Sequence, residues 1–234
     1  MNLELFIARR IAHNGSGNRP GVMVRIAVVA VALSVTVMIL ALAVIMGFKR
    51  EITDRVTGFS AQVEVADLRS AGSIESVPVL RSEQLERTIR SAGEVVRLTP
   101  YAVKGGVVKT PDAILGVMLK GVDGGYEWSF FRDHLLEGEL PRVGDSIRTK
   151  EILISRSVAR EMGLAPGDKV EMLFVESEKS PRRDRFKVSG IYATGMDEFD
   201  RSVAMTDLRN VQRLADWSSE EVSGLSLIHI SEPT

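Results

Sequence analysis

The chain has 234 residues, no cysteine and a formal net charge of −1, with 26% charged and 6% aromatic residues. The lack of cysteine excludes disulfides, thiolate metal ligands and cysteine nucleophiles. Because positive and negative charges nearly balance, the composition does not predict nucleic-acid binding, and no nucleic-acid partner is expected. The length is sufficient for one or two domains with a hydrophobic core.

The first predicted element is a membrane span at residues 26–48, where no side chain is charged and most are Ile, Val, Leu, Met or Ala. At about 1.5 Å per residue, a helix of this length measures roughly 34 Å, which exceeds a hydrocarbon core of about 30 Å. A cleaved signal peptide is the alternative, since Ala41-Leu42-Ala43 resembles a cleavage site. The stretch is longer than a signal core of about 7–15 residues, which favours a retained anchor.

The segment before the span, residues 1–25, is predicted to be a cytoplasmic leader lying at the membrane interface. It combines apolar residues such as Leu5 and Phe6 with the basic residues Arg9 and Arg10. Such a pattern is typical of a short interfacial helix. Counting Lys and Arg near the span gives a slight bias toward a cytoplasmic N-terminus, which would place residues 49–224 outside the cytoplasm.

Past the span, the helical pattern continues through Lys49–Val56 and should end near Gly58, and an α+β pattern with antiparallel strands follows. A further helix is predicted to begin after the N-cap Ser82, with Leu85 and Ile89 on its inner face. The other predicted strands are Ala61–Ala66, Val95–Tyr101, Gly106–Lys109, Ile114–Lys120, Glu151–Ile154 and Ser202–Met205, and the other predicted helices are Ser155–Met162 and Asp207–Leu214.

A β-hairpin is predicted in the second half of the chain. Its arms are Lys169–Phe174 and Arg185–Ala193, within the range 169–193, and its polar tip covers Val175–Asp184. A tip of this length is too long for a tight turn. Its mixed charges are typical of a solvated loop, and a protruding tip of this kind could dock a protein partner.

No catalytic or metal-binding arrangement is predicted. The three histidines, His13, His134 and His229, are far apart in the sequence and have no partners for a triad or a metal site. The acidic run Gly195–Asp200 is interpreted as an exposed turn rather than an acid–base site. No P-loop is present, so we expect a non-enzymatic chain without its own cofactor, with any ATP bound by a partner subunit.

Several segments together resemble the permease family of lipoprotein-releasing ABC transporters, the LolC/LolE type within the MacB/FtsX-like superfamily. In chain order they are Leu5–Arg10, Met46–Glu51, Leu119–Asp123, Glu151–Ser155, Gly163–Asp168 and Val188–Asp200. The likeness covers residues 2–224 collinearly. The Gly195–Asp200 segment is the part that points to the lipoprotein-releasing subgroup.

The resemblance implies a four-span permease of the inner membrane with a periplasmic α+β domain of two subdomains between its first two spans. The implied parts are the leader 1–25, the first span 26–48, a core subdomain beginning at 49–122, a second subdomain at 123–205 and the return to the core at 206–224. It further implies a cytoplasmic ABC ATPase dimer, a second permease subunit, lipoprotein cargo and a periplasmic lipoprotein carrier.

Two sets of site residues follow from the resemblance. Residues at the hairpin tip would hold the carrier, and they are Phe174, Val175, Pro181, Arg182, Arg183 and Phe186. Residues on one face of the span would line an acyl-chain cavity, the alternative being ordinary contact with membrane lipid or another helix, and they are Val37, Leu40 and Val44.

Two other functions remain open on the sequence. One is a sibling permease of the same superfamily, for efflux or cell-wall regulation, and the other is a single-span membrane-anchored binding module. The last residues, 225–234, resemble a translated sequencing adaptor and are set aside from the fold. With that interpretation, the chain is expected to be an N-terminal fragment whose later spans are missing, and residues 49–224 alone are expected to be poorly stable.

Overall fold

A computed structural model of the chain describes residues 3, 6–7, 21–59, 63–70, 76–91, 95–110, 113–144, 147–176 and 179–229. The chain divides into two compact units, Met1–Val56 and Thr57–Thr234. Most of the predicted leader, 1–25, lies outside the described residues, so its interfacial helix stays a prediction.

The first unit is dominated by one uninterrupted helix, α1 (Val22–Phe59). Its apolar part, Val22–Lys49, is long and apolar enough to cross a membrane, and none of the side chains in it is buried. The predicted apolar helix and its continuation to the neighbourhood of Gly58 are therefore confirmed. A helix satisfies its own backbone groups, which is the requirement for a segment that lies in lipid.

Two hydroxyl groups lie within the apolar part of α1. The Ser34 hydroxyl donates to the Ala30 carbonyl at 2.9 Å, and the Thr36 hydroxyl donates to the Ala32 carbonyl at 2.8 Å. Bonding to the carbonyl four residues earlier gives each hydroxyl a partner inside the helix. The two polar side chains therefore do not disqualify the segment as a span.

The second unit contains short helices and the strands of a large sheet. The helices are α2 (Glu83–Ser91), α3 (Ser129–Asp133), α4 (Arg156–Met162), α5 (Asp197–Ser202) and α6 (Leu208–Ala215). The strands are β1 (Val63–Ala66), β2 (Val79–Leu80), β3 (Val95–Lys109), β4 (Ile114–Val122), β5 (Leu135–Gly138), β6 (Glu151–Ser155), β7 (Lys169–Glu176), β8 (Lys179–Tyr192), β9 (Val203–Asp207), β10 (Glu221–Val222) and β11 (Gly224–His229). A single 3₁₀ turn covers Leu68–Ser70.

The sheet is mixed. Among the described residues, nine strands form it in the order β1-β11-β3-β4-β9-β6-β8-β5, with β7 paired to both β3 and β8, while β2 and β10 pair separately. Most neighbours are antiparallel, but β4 and β9 are parallel, and so are β6 and β8. The predicted antiparallel character is confirmed for most neighbours and does not extend to these two pairs. Their members are far apart in the chain, so no turn signal marks their pairing.

One long strand, β3, replaces the two strands that were predicted on either side of a glycine pair. Its first half pairs with β11 and its second half with β7. Gly106 continues the strand because its missing side chain leaves room for the Phe174 ring, whose nearest atom would lie 2.7 Å from an added Cβ. The sheet therefore runs without interruption through both predicted subdomains, and the boundaries at 122 and 205 stay a prediction.

Several helix ends match the sequence expectation. The Ser82 hydroxyl accepts from the Leu85 amide at 3.2 Å at the start of α2, and Leu85 and Ile89 pack against the core. The Ser155 hydroxyl accepts from the Val158 amide at 3.1 Å at the start of α4. Gly163 ends α4 with a positive φ of 63°, which glycine adopts without the steric penalty of a Cβ.

The core has two hydrophobic clusters. The larger one combines sheet residues such as Leu119 and Met172 with side chains of α4 and α6, including Val158 and Val211. The smaller one surrounds Phe131 of α3. In it, the Phe131 ring meets the buried Tyr192 ring edge-on at 5.1 Å, a preferred geometry for aromatic pairs.

Strand β11 lies in the segment that the sequence analysis set aside. It is hydrogen-bonded between β1 and β3, and Leu225 and Leu227 are 0% and 7% exposed. Alternation of apolar and polar residues from Leu225 to Leu227 is a strand pattern, so setting the segment aside omits a strand that lies between β1 and β3. Whether 225–234 derives from an adaptor stays a prediction, because a fold carries no record of the origin of its sequence.

Candidate functional site

The predicted docking hairpin consists of β7 and β8, and its turn is shorter than expected. Glu176 pairs with Lys179, so only residues 177–178, which lie outside the described residues, separate the arms. The prediction of a long loop over Val175–Asp184 is therefore wrong. The charged run Arg182–Asp184 is not a typical strand sequence. It can nevertheless form a strand, because charged side chains in a strand can be satisfied by ion pairs on either face.

Successive side chains of a strand point to opposite faces, and this alternation divides the predicted docking residues. Phe174 and Phe186 point inward and are each 1% exposed. Arg182 lies directly opposite Phe174 in the register and is half-buried. The assignment of Phe174 and Phe186 as partner contacts is wrong, because both rings belong to the main core cluster.

The other three predicted residues lie on the open face of the hairpin. Val175 is 58% exposed, and Pro181 and Arg183 are exposed as well. Arg183 forms an ion pair of 3.7 Å with Glu171 on the neighbouring strand. These three side chains are available to a partner, and their role in docking stays a prediction.

A shallow depression of about 400 Å³ lies on the same part of the hairpin. Its lining residues are Lys109, Thr110, Glu171, Leu173 and Arg183. Two cations, one carboxylate and an apolar side chain suit contact with a protein surface that carries acidic and apolar groups. Among the described residues, no group of three or more His, Asp or Glu is arranged to hold a metal ion.

The inward charged residues of β8 meet the C-terminal end of α6. The Arg182 guanidinium donates to the two Asp216 carboxylate oxygens at 2.7 and 2.5 Å. Two positions along β8, the buried Asp184 carboxylate accepts hydrogen bonds from the Arg213 guanidinium and from Lys150 Nζ. These contacts join the hairpin arm to the helix that follows β9.

The acidity of Asp184 reflects these contacts. Burial alone would raise the pKa of its carboxyl, but hydrogen bonds from Lys150 and the Arg185 amide, with the charges of Arg213 and Lys150, hold the pKa below its usual value. The carboxylate is therefore ionised at neutral pH and completes the ion-pair network.

The Gly195–Asp200 segment is the exposed acidic turn predicted from sequence only in part, because Asp197 is exposed whereas Asp200 is buried. Asp200 is 5% exposed, and its carboxylate accepts from the Thr194 hydroxyl at 2.9 Å and from the Thr194 and Gly195 amides at 3.2 Å. Met196 and Phe199 pack against the smaller core cluster. Asp200 is thus committed to holding the start of α5.

In the span, the structure places the three predicted lipid-facing residues on one side of α1. Val37, Leu40 and Val44 are spaced three and four residues apart, which brings them to one face of a helix. They are 58%, 59% and 69% exposed. A cavity for acyl chains stays a prediction, since every apolar side chain of this helix segment is similarly exposed.

Two residues with a structural role at the hairpin were missed by the sequence analysis. The sequence places Asp184 in a predicted loop and gives no indication of a role for Asp216. The in-and-out alternation of Arg182, Arg183 and Asp184 was an available signal for a strand. Nothing in the sequence links Asp216 to Arg182, because their pairing depends on the packing of α6.

Comparison with known proteins identifies one family. The sequence model of the MacB-like periplasmic core domain matches residues 26–230, which is more than half of the chain. The match includes most of the apolar part of α1 and the whole described sheet. The α+β fold predicted from the sequence is therefore confirmed.

Curated relatives share the same stretch. The lipoprotein-releasing system transmembrane protein LolC of Xylella fastidiosa (strain Temecula1) is 27% identical over 182 residues, covering 74% of this chain and 41% of the relative. LolC of Neisseria meningitidis serogroup B is 26% identical over 194 residues, covering 80% of this chain and 44% of the relative. The chain thus spans about two fifths of the length of these relatives, and the predicted resemblance is confirmed.

Two solved structures are similar at low sequence identity. The periplasmic region of MacB from Actinobacillus actinomycetemcomitans is 14% identical with a TM-score of 0.47, covering 73% of this chain and 74% of that one. The extracellular domain of the noncanonic ABC-type transporter YknZ from Gram-positive bacteria is 14% identical with a TM-score of 0.45, covering 72% of this chain and 81% of that one.

Proposed function

Because the chain belongs to the MacB-like periplasmic core domain family, we propose that it is part of a permease subunit of an ABC transporter in the inner membrane. The observation that carries the proposal is the family match over residues 26–230, in which one apolar helix is followed by a mixed α+β sheet domain. The helix is the anchor, with its N-terminus in the cytoplasm, and the sheet domain lies in the periplasm.

The proposed cargo is lipoprotein, which the transporter releases from the inner membrane to a periplasmic carrier. The support is the name of the curated relatives, which match about three quarters of the chain. Energy comes from a separate cytoplasmic ATPase dimer, since the sequence contains no P-loop. A second permease subunit completes the assembly, and membrane lipid surrounds its spans.

In this proposal the carrier docks on the open face of the β7–β8 hairpin. Val175 and Pro181 provide apolar contact area, and Arg183 provides charge beside the depression lined by Lys109 and Leu173. Exposed side chains on a hydrogen-bonded hairpin make a rigid docking surface, because strands hold them in a fixed direction.

The proposal is tested in a Gram-negative host that expresses the intact gene. Arg183→Glu with Val175→Glu should abolish co-purification of the periplasmic lipoprotein carrier, because the double change places two carboxylates on the docking face. Arg87→Glu is the control, because Arg87 lies on the exposed face of α2 in an ion pair whose side chains are 78% and 85% exposed. Undiminished co-purification by the double variant would overturn carrier docking at this face.

The buried rings of Phe174 and Phe186 limit which substitutions can be used in this experiment. Replacing the whole segment from Phe174 to Phe186 would remove two core rings that are each 1% exposed, so the domain would lose stability whether or not the hairpin docks a carrier. Changes confined to the outward side chains avoid this, and far-ultraviolet circular dichroism of the purified variant should remain unchanged.

The family match also favours a second candidate, a sibling permease that drives efflux or regulates cell-wall enzymes, because the matched family is the MacB-like one. The two candidates differ in their cargo. Depletion of the gene should leave mature lipoproteins in the inner-membrane fraction if the chain serves lipoprotein release. Correct lipoprotein sorting in depleted cells, with increased sensitivity to exported compounds, would favour the sibling.

A further inference from the structure

We propose that Arg182 is a positioning residue, which fixes the orientation of the β7–β8 hairpin through Asp216, and that it is not itself a contact for the partner. The inference rests on the proposed function, in which the hairpin docks a carrier. It divides the adjacent arginines into two roles, with Arg183 facing the partner and Arg182 facing the domain.

The first observation is the direction of the two side chains. Arg183 lies opposite Leu173 and Arg182 lies opposite Phe174 in the hairpin register. Phe174 is buried in the core, so the neighbouring inward position of Arg182 also faces the domain. Arg183 is on the outer face with Glu171, 3.7 Å away.

The second observation is the geometry of the pair. Arg182 Nη1 donates to Asp216 Oδ1 at 2.7 Å, and Nη2 donates to Oδ2 at 2.5 Å. Two parallel bonds between a planar guanidinium and a carboxylate fix the direction of the side chain as well as its distance. Nη1 also donates to the Arg213 carbonyl at 3.2 Å, where a cation interacts favourably with the negative end of the α6 dipole.

Asp216, which accepts these hydrogen bonds, is itself held at the end of α6. Asp216 caps α6 with a φ of 58°, and its amide donates to the carbonyls of Arg213 and Gln212. Aspartate tolerates this left-handed conformation better than most residues with a side chain. The Asp216 backbone is therefore fixed to the helix end, and Arg182 is bound to a residue of a hydrogen-bonded element.

A second contact secures the same arm. Asp184, the next inward residue of β8, accepts from Arg213 on the last turn of α6 and from Lys150 just before β6. Rotation of β8 about its own axis would break both the Arg182–Asp216 and the Asp184–Arg213 contacts. The two contacts together, here named the α6 clamp, keep Val175, Pro181 and Arg183 on the open face.

The Arg182–Asp216 pair of the clamp is expected to act on local order rather than on global stability. The Arg182 and Asp216 side chains are 40% and 49% exposed, and ion pairs of such exposure contribute little to the free energy of unfolding. Opening of the hairpin tip, by contrast, is a local event that a single pair can control.

The test uses the intact permease in detergent and measures hydrogen–deuterium exchange of the amides near the hairpin turn. Arg182→Ala and Asp216→Asn should each raise exchange there by roughly two- to fivefold. The double variant should be no worse than Arg182→Ala alone, since that change already removes every hydrogen bond between the two side chains. Asparagine retains the tolerance of Asp216 for a positive φ, so the helix cap is preserved.

The control is Arg97→Ala. The Arg97–Glu127 pair matches the Arg182–Asp216 pair closely, with a distance of 2.6 Å and side chains that are 41% and 47% exposed. It lies outside the hairpin, so its loss should leave exchange near the hairpin turn unchanged. Equal exchange in all variants would overturn the proposal.

Carrier capture separates positioning from contact. A positioning role predicts that Arg182→Ala and Asp216→Asn both weaken capture, although Asp216 is on another element. Loss of capture with Arg182→Ala but not with Asp216→Asn would show a direct contact and overturn the proposal. Raised exchange in both variants with unaltered capture would support the clamp while counting against carrier docking by this hairpin.

Discussion

Among single residues, position along β8 determines what each side chain can do. Neighbours that look equivalent in the sequence are separated by the strand into a face that packs on α6 and a face that is open. The rings of Phe174 and Phe186 are structural, whereas Val175 is exposed to solvent. This division predicts opposite consequences for adjacent substitutions.

Phe174→Ala should lower the free energy of unfolding by about 3–5 kcal/mol, because it leaves a cavity beside Gly106 in the core. Val175→Ala, the adjacent matched change, should alter it by less than about 0.5 kcal/mol. Urea unfolding of the chain in detergent, followed by tryptophan fluorescence, measures both. Similar losses for the two variants would contradict the inward and outward assignment.

Asp184 predicts a pH dependence of stability. Its pKa is lowered in the folded protein, against an ordinary value of about 3.9 in the unfolded chain. The unfolded chain therefore takes up the proton first as the pH falls, and the stabilisation present at neutral pH is lost in acid.

Asp184→Asn should cost about 1–2 kcal/mol at pH 7, a value reduced from that of a fully buried pair because Lys150 and Arg213 are 43% and 52% exposed. Its stability should also fall less steeply than that of the parent between about pH 5 and pH 3. Parallel curves of unfolding free energy against pH for the two proteins would contradict the role given to Asp184.

Among the elements, β11 deserves a direct test because it joins β1 to β3. Leu225→Ala should reduce the free energy of unfolding by about 2–5 kcal/mol, since Leu225 is 0% exposed. Ser226→Ala, in the same strand but on the other face, should change it by less than about 0.5 kcal/mol. If Leu225→Ala were as mild as its neighbour, β11 would not belong to the folded sheet.

The span carries a separate prediction. Val37→Asp with Leu40→Asp places two carboxylates on one face of α1, and each charge near the membrane centre costs about 2.5–3.5 kcal/mol on insertion scales. In the full-length gene, the double change should block membrane insertion or lipoprotein release, measured by fractionation and by lipoprotein sorting. Intact membrane insertion together with normal lipoprotein release would contradict the proposed acyl-chain cavity.

Local signals in the sequence predicted the elements that depend on local chemistry. The apolar run predicted α1, and the Ser82 hydroxyl predicted the start of α2. Elements that depend on partners far away in the sequence were predicted incorrectly or not at all. The parallel pairing of β4 with β9 and the continuation of β3 through Gly106 both require knowledge of the neighbouring strand.

In the candidate site, too, the features set by local sequence were predictable and those set by distant partners were not. The hairpin itself was predictable from two apolar arms, and Val175, Pro181 and Arg183 were correctly expected to be exposed. Period-two alternation through a charged segment was not recognised, so the inward residues were placed with the outward ones. The contact with Asp216 could not be predicted, because it is created by the packing of α6 against the sheet domain.

At the scale of the whole molecule, one apolar helix and a mixed sheet domain match the family over residues 26–230. The curated relatives are more than twice as long as the matched region, which covers 41–44% of them. A permease function requires further membrane spans, whereas a tethered binding module does not. The complete gene sequence therefore distinguishes a permease from a tethered binding module.

The central proposal, a permease subunit, is tested most directly by sequencing the intact open reading frame from the source genome across the codon for Gly224. We predict that the reading frame continues and encodes three further apolar segments of about 20 residues each, the length needed to cross a membrane as helices. A stop codon close behind that position, with no further apolar segment, would contradict the permease and leave a single-span anchored module.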